Sequence, residues 1–133
     1  MNYYVKPGAC PAEVYRIMKC ADFPFLPAQK EAIPRLASAS ILGLYTEEAS
    51  LVGAFLLFDG CFVDVVISPE HQRRWARKGL CAEVLSWLRG KANGGKLHFC
   101  TTSKAAQRMA LAVGAEVSGT HNGLPYYILK TKE

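Results

Sequence analysis

Between residues 41 and 68 the chain is apolar in three short runs, 41–47, 50–58 and 61–68, broken only by Glu48-Ala49-Ser50 and Asp59-Gly60. Runs of this length with such short connections predict an antiparallel meander. After Pro69 the period changes. Ala76, Leu80, Val84, Trp87 and Leu88 recur at three-to-four spacing, which predicts a helix with one apolar stripe, ending at Asn93-Gly94-Gly95. A strand at 97–101 follows. Ser103 can then cap a helix that places Ala106, Met109, Ala110 and Val113 on one face, with Gly114 as its left-handed terminator. Two last strands, near 115–120 and 125–131, flank His121-Asn122-Gly123. Ahead of the meander, a strand at 2–6 and a helix at 11–20 with Val14, Ile17 and Met18 on one side are predicted. Pro24, Pro27 and Pro34 should leave 22–40 irregular, apart from a short helix at 28–33, because proline removes a donor and biases its predecessor away from helix.

The summed order is β-α-(α)-β-β-β-α-β-α-β-β, an α/β domain with a mixed, mostly antiparallel sheet and helices on both faces. The strands at 61–68 and 97–101, separated by a helix, require a crossover between parallel neighbours. At 133 residues the chain is expected to form a single domain, so a site must come from one core or from a self-association interface, and a homodimer stays open. Hydrophobic residues at 50% and charged residues at 20% exclude a disordered or collagen-like chain. No apolar run approaches the ~20 residues of a membrane span. Residues 1–6 lack a signal peptide's charged start and apolar run, so a cytoplasmic protein is expected. The five cysteines are scattered, with no C-x-x-C pair or companion histidine, so neither a metal site nor a disulfide framework is indicated.

A net charge of +5 favours an anionic partner without naming one. The charge is concentrated. Arg73, Arg74, Arg77 and Lys78 fall where the strand at 61–68 runs into the helix after Pro69. The first amides of a helix are unpaired and its dipole is positive there, so each added cation is unfavourable by roughly 0.3–1 kcal/mol unless an anion sits on the same spot. A pyrophosphate would resolve that conflict. The alternatives are a solvated basic face or a nucleic-acid contact, and the latter lacks interleaved aromatics and offers few phosphate contacts.

The strand-Pro-x-x-Gln segment running to Gly79-Leu80, together with the element order, resembles the GCN5-related N-acetyltransferases, whose signature is Gln/Arg-x-x-Gly-x-Gly/Ala. In this match Gln72 takes the first place, while Trp75 and Arg77 replace the two glycines. The Arg-Trp-Ala variant is similar to small acetyltransferase-like proteins of bacteriophages. The likeness covers roughly 41–131. In the family's second motif, Asn-x-x-Ala-x-x-x-Tyr-x-x-x-Gly, Ser103 stands for the asparagine, Ala106 and Gly114 fit, and Ala110 occupies the tyrosine's place.

The resemblance implies acetyl-CoA as cofactor, bound by Gln72, Arg73, Arg74, Trp75, Ala76, Arg77, Lys78 and Ser103, with its pantetheine arm pairing to the backbone of Val65, Val66 and Ile67. It implies direct attack by an amine, the acceptor being a small molecule or a protein lysine, with the amide of Val66 or Ile67 polarising the thioester carbonyl. A base does not transfer, because its place falls at Cys61. Asp64, and Glu47 and Glu48 in a turn, are candidates to bind the amine or take its proton. Tyr126 or Tyr127 is a candidate acid, since strand alternation sends one to each face. His98 and Cys100 read as structural residues. A GNAT-fold module that binds without turnover is the other reading of the Ala110 replacement.

Overall fold

The three apolar runs form β2 (Ser40–Thr46), β3 (Leu51–Phe58) and β4 (Phe62–Ile67) in a computed structural model that describes residues 2–21, 28–72, 74–100, 104–121 and 123–130. Asp59 and Gly60 between β3 and β4 take φ of 54° and 72°, the left-handed pair that turns a tight hairpin in step with strand twist. With β1 (Tyr3–Pro7), β5 (Lys96–Cys100), β6 (Glu116–His121) and β7 (Leu124–Lys130), they build a seven-stranded sheet in the order β1-β2-β3-β4-β5-β7-β6. Every neighbouring pair is antiparallel except β4 and β5.

Helices cover both faces. α1 (Pro11–Cys20) and α2 (Gln29–Ala37) bury Val14, Ile17, Met18, Ala32 and Leu36 against Ala54, Leu56 and Val66. On the other side, α3 (Lys78–Lys91) and α4 (Lys104–Ala112) bury Leu80, Val84, Leu88, Met109 and Ala110 against Phe55, Leu57, Val63, Val65, Ile67 and Phe99. A strand covered twice is apolar at consecutive positions, which is why β3 and β4 show no alternation in sequence. Burying each such side chain contributes about 1.5–3 kcal/mol.

Two elements differ from the sequence reading. α2 runs through Pro34 instead of stopping before it. Ala32 and Leu36 anchor its inner face, whereas Pro34 is exposed, where water can satisfy the carbonyl that proline leaves unpaired. The second difference bears on function. Pro69–His71 is only a 3-10 turn, and the helix proper starts at Lys78, with Arg77 extended at φ −107° and ψ 152°. Trp75 accounts for the delay, since it is 5% exposed and packs edge-on against Phe55 at 5.2 Å between ring centroids. Drawing that ring into the core takes 74–77 out of helical register. Among the described residues, no helix is long and apolar enough to cross a membrane.

Candidate active site at the open edge of β4

β4 is paired with β3 from Phe62 to Ile67, but it meets β5 only at Phe62 opposite His98 and Val63 opposite Phe99. From Asp64 onward its second edge has no strand beside it among the described residues. The ladder fixes which amides face this opening. Ser68 N–H donates to Val52 on the β3 side, and Cys61 C=O accepts from His98 N–H on the β5 side. Alternation therefore directs the main chain of Val66 toward Ala54, and that of Val65 and Ile67 toward the opening. Of the two amides offered for the oxyanion, that of Val66 thus faces β3 and that of Ile67 faces the opening.

Side chains already reach this edge. Asp64 Oδ1 accepts the Val65 N–H at 2.9 Å, which holds the carboxylate where the two strands part. Gln72 Nε2 donates to the Ile67 carbonyl at 3.2 Å, so its amide braces the strand end.

Arg74 and Arg77 lie in the loop before α3, and Lys78 is its first residue. Arg74 is exposed, its N–H bonded to His71 C=O, and Arg77 donates from Nη1 to Asn2 Oδ1 at 3.3 Å, toward β1. A cleft of about 330 Å³ between β1 and α3 is lined in part by Asn2, Arg77, Gly79 and Glu83. Tyr3 Oη and His71 Nδ1, 2.9 Å apart, tie the loop to the same strand. Arg77 provides no side-chain cap, and the first turn of α3 contains no acidic residue. The positive end of the helix is thus uncompensated by its own first turn. Trp75, though buried, also lines this cleft, Ala76 is exposed, and the side chain of Lys78 and all of Arg73 and Ser103 lie outside the described residues.

On the α1–α2 face, the strand joint carries a row of rings. Phe62 and His98 are 5.4 Å apart between centroids, His98 and Tyr126 are 5.6 Å apart, and His98 Nδ1 is hydrogen-bonded to the Tyr126 hydroxyl. Tyr127 is turned to the opposite face and buried at 3% exposure in the core with Phe99. His98, read from sequence as a structural residue, thus joins Phe62 and Tyr126 at the strand joint; its hydrogen-bond partner is 28 residues away, and no local spacing signals it. Glu47 is exposed in its turn, where Oε1 accepts the Asn2 N–H at 2.8 Å, and Glu48 is exposed beside it.

No family model matches the sequence and no curated protein does. Solved structures do. A putative acetyltransferase from Salmonella typhimurium, determined with its cofactor acetyl-CoA, is 16% identical over 100% of this chain and 96% of its own, with a TM-score of 0.67. A GCN5-related N-acetyltransferase from Rhodopseudomonas palustris is 15% identical over 98% and 96%, with a TM-score of 0.70. A dodecameric spermidine N-acetyltransferase from Vibrio cholerae is 13% identical over 98% and 94%, with a TM-score of 0.65. The chain has the GCN5-related N-acetyltransferase fold.

Because α3 starts at Lys78, Arg74 and Arg77 precede it and Gly79 is its second residue. A Cβ built on Gly79 would meet nothing within 4 Å. A helix running from Pro69, as read from sequence, would make Gly79 an interior residue instead.

Proposed function

We propose that the protein is an N-acetyltransferase that uses acetyl-CoA to acetylate a primary amine. The observation that carries this reading is the conjunction of β4 parting from β5 after Val63 with a helix start at Lys78 that lacks a side-chain cap and follows Arg74 and Arg77. When bound, acetyl-CoA supplies a thioester whose carbonyl carbon accepts the amine and whose sulfur departs as the thiol. The amides of Lys78, Gly79 and Leu80, with Arg74 and Arg77, would hold the diphosphate. Arg73, Lys78 and Ser103 are proposed to join them, with Trp75 and Ala76 shaping the loop. Val65 and Ile67 would offer backbone groups to the pantetheine amides, and the Ile67 N–H would stabilise negative charge developing on the carbonyl oxygen.

Asp64 would attract the ammonium form of the acceptor to the joint, and Tyr126, on the same face of the sheet, would serve as acid toward the departing sulfur. The cytoplasm, where acetyl-CoA is made, is the expected place of action. A second reading, a GNAT-fold module that binds acetyl-CoA without turnover, is favoured by Ala110, which is fully buried and has no hydroxyl to offer.

Isothermal titration tests the reading. Acetyl-CoA and CoA should both bind the parent, and Arg74→Ala with Arg77→Ala should weaken both by about tenfold or more, since charge-assisted hydrogen bonds contribute ~1.5–3 kcal/mol each. A parent that ignores CoA, or a variant that binds as the parent does, rejects the site. Thiol release with a panel of primary amines then separates enzyme from binder.

A further inference from the structure

Resting on the acetyltransferase reading, we propose that His98 and Tyr126 form one proton-relay unit at the strand joint, His98 holding the proton and Tyr126 passing it. His98 is fixed from three directions. Its backbone N–H donates to Cys61 C=O at 2.7 Å, its ring lies beside Phe62, and its Nδ1 meets the Tyr126 hydroxyl. Tyr126 pairs with Cys100, one position beyond the last contact of β5 with β4. The phenol thus belongs to the row of side chains that ends where the strands part. Asp64 stands in that row on β4, two residues from Phe62 and on the same face.

A phenol alone is a poor proton acceptor at neutral pH, with an ordinary pKa near ~10, whereas imidazole, near ~6.5, is suited to the task. The hydrogen bond joins the two capacities. As the amine attacks, its N–H bond breaks and an O–H bond forms at Tyr126, while the original Tyr126 O–H bond breaks and an N–H bond forms at His98 Nδ1. Tyrosine stays neutral and an imidazolium results. The reverse path returns the proton to the departing thiolate sulfur, so the nitrogen loses one proton, the sulfur gains one and the protein keeps none. Tyr126 is the catalytic residue and His98 the positioning one. Among the described residues, the other titratable groups on this face of the neighbouring strands are Asp64 on β4, Lys96 on β5, Lys130 on β7 and Glu116 on β6.

Steady-state kinetics of the full chain with acetyl-CoA, using putrescine and a lysine-containing peptide as acceptors, test the unit. His98→Gln should lose about 10²-fold in kcat, with KM for acetyl-CoA unchanged. Tyr126→Phe should match it, and the double variant should be no worse than either single one. Long-range proton–nitrogen NMR of the parent should find the His98 proton on Nε2, leaving Nδ1 to accept from Tyr126. A His98→Gln variant that loses only thermal stability, multiplicative losses in the double variant, or a proton found on Nδ1 would each overturn the relay. A parent that binds acetyl-CoA but acetylates neither amine also overturns it and leaves cofactor binding standing. Failure to bind acetyl-CoA rejects the acetyltransferase reading and the relay with it.

Discussion

Between β1 and β4 each strand pairs with the next along its length, from Tyr3 opposite Thr46 to Phe58 opposite Phe62. Among the described residues, the block of β5, β7 and β6 pairs with it at Phe62–His98 and Val63–Phe99. The first half derives its cohesion from a continuous ladder and from helices on both faces. The second is held to the first by side chains packed over the joint, chiefly Val63, Phe99, Met109 and Tyr127, none more than 3% exposed. The separation teaches where a ligand can enter without loss of native structure: β4 and β5 part after Val63, and Asp64 and the His98–Tyr126 pair are gathered there.

The largest expected effect distinguishes the halves directly. Phe55 and Phe99 are both fully buried, one inside the ladder and one at the joint. Phe55→Ala and Phe99→Ala should each lower stability by about 3–5 kcal/mol in denaturant titrations. Native-state hydrogen exchange should tell them apart. Phe99→Ala should speed exchange in β5, β7 and β6 while β2 and β3 keep their protection, and Phe55→Ala should loosen the whole sheet together. Identical exchange patterns in the two variants would mean that the joint is no weaker than the ladder.

A second test separates binding from folding at the start of α3. Gly79 has room for a side chain, and helix formers are favoured over glycine there. Gly79→Glu should raise stability by about 0.5–1.5 kcal/mol, because a carboxylate in the first turn complements the dipole. The same carboxylate should weaken acetyl-CoA by about tenfold or more through repulsion of the diphosphate. Opposite signs in thermal melting and in calorimetry are the expected result. A variant that is both more stable and equally tight would place the diphosphate elsewhere.

Much of this was legible in the sequence, for identifiable reasons. Three apolar runs separated by two or three residues leave little but a meander, and the helical gap before 97–101 forces the parallel crossover. The cationic segment was visible because like charges beside a helix start contradict the dipole. The start of α3 was misplaced because Ala76 fits the helical stripe by spacing, while the contact that decides the matter, Trp75 on Phe55, joins residues 20 apart. The choice between Tyr126 and Tyr127 waited on the register of β7 against β5, which places Tyr127 opposite Phe99 in the core. The His98–Tyr126 pair is long-range, and no pattern of spacing encodes it.

The smallest effect compares two positions two residues apart on α3. Gly79 faces open space, whereas Cys81 is half-buried against the core, its N–H donating to Arg77 C=O. A thiol near a helix start among cations would ordinarily ionise early. Burial wins instead and pushes the Cys81 thiol above its ordinary range. The folded chain therefore retains that proton to higher pH than the unfolded chain, so stability contributed by the neutral thiol is intact below the unfolded thiol's pKa and declines as pH rises through it. Melting temperatures of the parent and Cys81→Ala, compared from neutral to mildly alkaline pH, should diverge with the parent falling faster, and iodoacetamide should label the exposed Cys10 and Cys20 before Cys81. Parallel melting curves, or early labelling of Cys81, would mean that the cationic helix start outweighs burial at the second turn as it does at the first.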